Sequence, residues 1–471
     1  MVHTLKNAPL TPLNHNNSIA FISYHAGAKN DSDSLESYLA NVLSQLALTS
    51  KRHIAIALSG GSDSMALTLL MARWAAMHGC KITALTVNHG LRYEAASEAM
   101  QTHAIMNSHG ITHIILNPTL DATIRNIQQR AREARYSAMS AWCKENNTSH
   151  LMAAHTYEDQ AETLALQTHR GTSSTSQSAM ALISHWNNTA LVRPLLGVRK
   201  QTLIAWLKSH HYSWVEDPTN ASNTYARNRL RRTISEKEII ANWQHAQDQG
   251  ALRHAEDVAR NEWCNTHCDL HAFGFIKCNR FAWLGLDETQ RSDILSRAIM
   301  HVSGAHHRPR HHESIRLASR ITSLIKGKAT LGGTIIFWNE SHISISRELS
   351  RLPAPITLYP SHTPQHIMWD YRFALTYQLL APTILAPLGR SGVNHLRQTK
   401  HPITSNCENI HSSFLFSLPT LWHLDTVLFV PHIDYRLPDS NASDTFTAHF
   451  SPSKPLAGEP FWWFNHAPYH T

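Results

Sequence analysis

What the chain has little of narrows it first. Cysteine occurs six times in 471 residues, irregularly spaced, at Cys80, Cys143, Cys264, Cys268, Cys278 and Cys407. That spacing excludes the disulfide framework of a small secreted protein and predicts a reducing, cytoplasmic setting. No uninterrupted apolar run reaches the roughly 18 residues that a membrane span requires, so no membrane partner is expected. Lys6 has no apolar stretch behind it, which predicts no secretory signal. Charged residues are scarce at 16 %, yet hydrophobic ones reach 42 %, the balance of a packed protein rather than a disordered one. There is no internal repeat. Cys264, Cys268 and His271 have half of a zinc-site spacing, but no matching second pair follows, so structural zinc is not expected. The 35 histidines are scattered and read as compositional bias. A formal net charge of +8 fits a polyanionic partner such as RNA without requiring one.

What the chain does have begins at Ile54. A short apolar run, Ile54 to Leu58, has the length of a buried strand, and Met65 to Trp74 resumes as an apolar helix. Between them lies Ser59-Gly60-Gly61-Ser62-Asp63-Ser64. Glycines let backbone approach an anion closely, and the amides of a first helical turn point at it. Ser59, Ser62 and Ser64 add hydroxyl donors, so the stretch reads as a phosphate cradle. It lacks the lysine that ends the common P-loop. It carries an aspartate instead, which would repel phosphate unless a divalent cation bridges the two. Asp63 is therefore read as a magnesium contact, and the structural alternative is a corner with Asp63 or Ser62 as N-cap.

From Lys51 onward strands and helices alternate. Strands are expected at 54–58, 81–87, 113–116 and 150–154, with helices over 64–78, 94–109, 124–145 and 158–169. That order predicts a doubly wound parallel sheet with its ligands at the carboxyl ends of the strands. Polar residues gather at three such ends: Ser59–Ser64, Asn88-His89-Gly90-Leu91-Arg92, and His155 to Glu162. Residues 1–48 read as a polar extension with one helix over 34–48, and 49–232 as the nucleotide-binding catalytic domain. Residues 233–350 read as a mostly helical substrate domain containing a hairpin at 334–338 and 342–346. Residues 351–440 form a small mixed α+β domain with a late strand at 425–430, and 441–471 look like tail.

Three further groupings bear on chemistry. Asp159 and Glu162 stand three apart on one helical face, either complementing the helix dipole or, with Asp63, sharing magnesium. Arg132 and Arg135 either decorate a solvated helix beside Glu133 or contact phosphate. Arg227, Arg229, Arg231 and Arg232, with Asn228 among them, form the densest basic cluster, a solvated face or an RNA-backbone contact.

Ser-Gly-Gly-x-Asp-Ser resembles the signature of the PP-loop ATP pyrophosphatases, whose fold is adenine nucleotide alpha hydrolase-like. The ordered set is similar to the tRNA(Ile)-lysidine synthases. It comprises Ser59–Ser64, Val87–Arg92, Asn126 through Arg132 and Arg135-Tyr136, His155 through Thr163, Arg170-Gly171, Arg193-Pro194-Leu195-Leu196, and Glu216–Asn220 through Arg231. A fainter echo of that family's tRNA-docking domain runs from Leu380 to Pro431. Asn88, Thr156 and Glu158 depart from the pattern, standing where aspartate, histidine and aspartate are usual. The resemblance implies an ATP-dependent ligase acting with Mg2+ on a tRNA(Ile) bearing a CAU anticodon. Its wobble cytidine is adenylated, and free L-lysine then displaces AMP. Asp63 and Asp159 are expected at the metal, Arg132 and Arg170 in catalysis, and Ser59–Ser64 and His89 at ATP. Arg227–Arg232 are expected at the tRNA. Two rivals stay open: another PP-loop tRNA-modifying or amide-forming synthetase, and a tRNA-binding protein whose nucleotide site has decayed. The oligomeric state, homodimer included, is also open.

Overall fold

The computed structural model describes residues 34–46, 48, 52–90, 94–118, 127–169, 178–186, 189–215, 226–305, 307–399, 411–438, 440–441, 443–452, 454–458 and 461–463. The described residues of Met1–His254 and Phe461–Thr471 form one compact unit, and those of Ala255–Pro460 a second.

The first unit runs α1 (Leu35–Gln45), β1 (His53–Ala57), α2 (Ser62–His78), β2 (Lys81–Val87), α3 (Glu94–Ser108), β3 (His113–Leu116), α4 (Ile127–Glu145), β4 (His150–Met152) and α5 (Tyr157–His169). It continues through β5 (Ile183–Trp186), β6 (Thr189–Val192), α6 (Lys200–Ser209), α7 (Ala226–Thr233) and into α8 (Glu236–His267). The strand order is β3-β2-β1-β4-β6-β5, parallel throughout except for the β5–β6 hairpin at one edge. Ile54, Ala55 and Ile56 are fully buried, as a central strand covered on both faces requires. The chain leaves β1 towards β2 and β3, then returns on the other side of β1 as β4. That reversal opens a crevice at the carboxyl ends of β1 and β4, the place where open α/β sheets bind ligands.

Helix α1, in the described part of the N-terminal extension, packs on the core. Leu35, Tyr38, Leu39, Val42 and Leu43 are buried, a stripe at helical spacing that joins the same apolar cluster as α2 and α6. Glu36 accepts a 3.1 Å hydrogen bond from Trp206 Nε1, tying α1 to α6. Helix α2 is apolar nearly all round because it is covered nearly all round. It ends at Gly79, whose φ of +64° suits the left-handed cap and whose N–H reaches Ala75 O.

The second unit opens with β7 (Cys268–His271), β8 (Phe275–Asn279), α9 (Arg280–Leu284), α10 (Glu288–Ser303), α11 (His311–Ser323), β9 (Gly327–Leu331), β10 (Thr334–Trp338) and β11 (His342–Arg347). The helical segment expected here is present, and with it an antiparallel sheet, β7-β8-β11-β10-β9, into which the expected hairpin is built as β10–β11. There follow β12 (Ile356–Leu358), β13 (Gln365–Trp369), β14 (Phe373–Gln378), β15 (Thr383–Pro387), α12 (Gly389–Gln398), β16 (Pro419–His423), β17 (Thr426–Val430), β18 (Tyr435–Arg436) and β19 (Thr445–Phe450). They form two antiparallel sheets, β12-β15-β16-β17-β18 and β13-β14-β19. Strand β19 lies where a tail was expected. It pairs with β14 from Phe373↔Phe450 to Gln378↔Thr445, because Phe446 and Ala448 alternate into the core. Among the described residues no helix is long and apolar enough to cross a membrane.

Candidate active site

The loop after β1 is shaped by its glycines. Gly60 has φ +88°, and a Cβ there would meet Thr102 Oγ1 at 2.6 Å. Gly61, not Ser62 or Asp63, is the N-cap of α2, and no side chain caps the helix. The first-turn amides therefore face the crevice without a capping oxygen, which keeps them available for an anion. Ser64 holds the loop closed on itself. Its Oγ donates to Gly61 O at 3.0 Å and accepts from Ser59 N at 3.1 Å. Ser62 Oγ donates to Asp63 Oδ1 at 3.2 Å.

Asp63 faces two opposed influences. Burial raises its pKa first of all and nearby Asp159 adds to that, whereas the Lys200 ammonium, 3.2 Å from Oδ2, opposes both. The aspartates of the first loop and of α5 are near enough for each to feel the other's charge. Asp159 Oδ2 accepts from Thr156 N at 2.9 Å and Thr156 Oγ1 at 3.2 Å. Thr156, a departure from the family pattern, therefore orients this carboxylate. Asn88, another departure, accepts from Gly90 N at 3.0 Å and shapes the turn after β2. Glu158, the third, accepts from Lys200 N at 3.0 Å.

Arg231 departs from the expectation of an RNA-facing residue. Its Nη2 lies 3.1 Å from Asp159 Oδ1, and its Nε pairs with Glu162, whose side chain is 3 % exposed. Two carboxylates withdrawn from water need a cation, and α7 delivers it. Arg229 and Arg232, on the same helix, are exposed. Arg227 and Asn228 fall in the first turn of α7, their side chains outside the described residues, and Arg170 lies outside them altogether. Arg132 is exposed on α4 with its guanidinium 5.0 Å from the Tyr136 ring centre. His89, at the end of β2, has both ring nitrogens buried without a hydrogen-bond partner. Its pKa is lowered by burial and then by Arg135, so it stands neutral.

The residue that sequence reasoning missed is Lys200. Arg199 and Lys200 open α6, where the helix dipole disfavours cations. That mismatch was the available signal. Among the described residues no group of three or more His, Cys, Asp or Glu side chains could hold a metal by itself. Cys268 instead faces Cys278 across the β7–β8 pair, Sγ to Sγ 2.9 Å, and His271 stacks on Phe275.

A parallel sheet with a serine–glycine anion cradle and two carboxylates at its switch point defines an α/β nucleotide-binding enzyme, and residues 32–238 match the PP-loop domain family. Similarity over the longer chain is more specific. The tRNA(Ile)-lysidine synthase of Wolbachia pipientis wMel is 31 % identical over 421 residues, 86 % of this chain and 94 % of that one. Those of Orientia tsutsugamushi (strain Boryong) and Rickettsia prowazekii (strain Madrid E) are each 28 % identical, covering 81 % and 85 % of this chain and 89 % and 93 % of theirs. The chain belongs to the tRNA(Ile)-lysidine synthase family, and it is an ATP-using, tRNA-modifying ligase.

Proposed function

We propose that this enzyme joins free L-lysine to C2 of the wobble cytidine of a tRNA(Ile) with a CAU anticodon. The observation that carries the reading is the uncapped helix α2 beside the Asp63–Asp159 pair, set at the carboxyl ends of β1 and β4. The cytosine O2 attacks the α-phosphorus of ATP in line, forming an O–P bond as pyrophosphate leaves. The ε-amine of lysine, having lost its proton, then attacks C2, and the C2–O2 bond breaks to release AMP. No protein nucleophile is required; the site has to position reactants and stabilise developing charge.

The first-turn amides of α2 and the hydroxyls of Ser59 and Ser62 hold the departing diphosphate, and Ser64 keeps the loop in shape for it. The donor set at the crevice fits magnesium: two carboxylates, hard oxygen ligands whose complement the ATP phosphates would complete. Asp63 and Asp159 would hold the Mg2+, which offsets phosphate charge when bound. His89, neutral and unpartnered, contacts the nucleotide. Arg132 contacts phosphate or base, and Arg170 supplies positive charge in the transition state. Contact with the tRNA is assigned to exposed Arg229 and Arg232 and, on the sequence pattern alone, to Arg227 and Asn228. Asn88 and Thr156 each make a hydrogen bond that shapes the site, which supports a working centre over a decayed one.

The test is mass spectrometry of tRNA(Ile) after incubation with ATP, Mg2+ and isotopically labelled lysine. Label at the wobble cytidine, with AMP formed in equal amount, is expected. AMP formed without lysine transfer would point to another acceptor, and no AMP under any condition to a binding protein.

A further inference from the structure

We propose that Lys200 supplies, from the start of α6, the phosphate-binding cation that the glycine loop itself lacks, and that it grips the departing pyrophosphate. The proposal rests on the reaction class above and deepens it. A helix N-terminus is a poor place for positive charge, which costs about 0.3–1 kcal/mol per cation in an exposed first turn. Arg199 and Lys200 both stand there, and each is compensated differently. Arg199 Nη1 approaches Glu158 Oε1 at 3.5 Å, its Nη2 pairs with Glu236, and its guanidinium lies 4.1 Å from the centre of the Tyr157 ring. Those contacts anchor α6 to α5 and α8. Lys200 is directed instead at Asp63, inside the nucleotide loop, with Nζ 3.2 Å from Oδ2. Its side chain is 41 % exposed, so it reaches the loop from the solvent side of the crevice.

Glu158 fixes this placement. Its Oε2 accepts the Lys200 backbone N–H at 3.0 Å, which sets where α6 begins relative to the first turn of α5. An aspartate is one methylene shorter and would not span the same gap. Glu158 is thus a positioning residue, acting through Lys200. When an anion enters the cradle, the ammonium already lies beside the loop, and its three donors suit phosphate oxygens as a compact point charge. Asp63, relieved of Lys200, would then be free to hold the metal. The Asp63–Lys200 pair is, on this view, the resting arrangement of two groups that separate on nucleotide binding.

Titration calorimetry of the full chain with Mg2+ and inorganic pyrophosphate, without tRNA or lysine, tests this directly. Lys200→Gln should weaken pyrophosphate binding about 10- to 100-fold, the loss expected for one charge-assisted hydrogen bond. Lys200→Arg should recover most of that loss. Glu158→Asp should give a smaller loss of the same kind, and AMP, which has no β- or γ-phosphate, should bind all variants alike. Pyrophosphate affinity of Lys200→Gln within twofold of the parent overturns the proposal. So does an equal loss of AMP binding, which would mark a general distortion of the loop, and so does a parent enzyme that binds no pyrophosphate. The two readings fail separately: lysine transfer without a Lys200 effect removes only this one, and a Lys200 effect without lysine transfer removes only the reaction proposed above.

Discussion

Asp63 is a carboxylate whose burial works against its own charge, and one exposed lysine offsets that conflict. A residue kept in such a position by folding alone would be a poor choice, because the same corner could be capped by an asparagine or serine. Asp63→Ala should therefore leave the far-UV circular dichroism spectrum unchanged while AMP formation falls by about two to three orders of magnitude, the usual loss when a single charge-stabilising group is removed. Retained ATP cleavage would remove the metal assignment. The arginines of α7 divide the other way. Arg231→Ala removes the guanidinium that Asp159 and the nearly buried Glu162 share. Discounted for the partial exposure of Arg231, that should cost about 1–3 kcal/mol, read as a lower urea midpoint. Arg232→Ala should reduce the slope of log Kd for tRNA against log salt by about one unit. If the two variants behave alike, the distinction between a structural and an RNA-facing arginine on this helix is wrong.

At the scale of elements, what could be read ahead of the structure was what local pattern encodes. The central strands were legible because Ile54–Leu58 and Lys81–Val87 are apolar runs, and the crevice followed from where polar residues sit relative to them. The hairpin strand β5, Ile183-Ser184-His185-Trp186, escaped because it is four residues long with no clear alternation. Strand β19 did alternate, with Phe446, Ala448 and Phe450 two apart, but its partner β14 lies far back in the chain. The pairing of Lys200 with Asp63 was hidden for the same reason: ion pairs between distant segments leave no periodicity. Helix α1 shows the limit most plainly. Its apolar face was readable, but periodicity names a face and not what covers it. Because Leu43 is fully buried against the main core, Leu43→Ala should cost about 2–5 kcal/mol in urea unfolding of the full chain. A helix that merely rests on the surface would lose less than 1 kcal/mol.

Histidine, so abundant in this chain, makes its mark at the scale of the whole molecule. His113 and His150 in the first unit, and His301 and His432 in the second, are each pushed down to about 4, with burial the largest cause in every case. His113 is held neutral between Thr86 Oγ1 at 2.8 Å and His103 at 3.1 Å, and His301 Nδ1 faces Lys454 O at 2.7 Å. The unfolded chain takes up protons at these positions near pH 6.5, the folded chain only near 4. Their contribution to stability is therefore complete above about pH 6.5 and is lost progressively as pH falls towards 4. His113 and His301, 5 % and 4 % exposed, should each contribute a slope of at most about 1.4 kcal/mol per pH unit within that window. Since each unit holds such residues, both should soften as pH falls from about 6.5 towards 4. Scanning calorimetry at pH 7.5, 6 and 5 should show the melting temperature falling throughout, and His301→Gln should flatten part of that decline. A melting temperature constant down to pH 5 would mean that these rings find water or partners on protonation, and that their burial does not govern the acid limit of the fold.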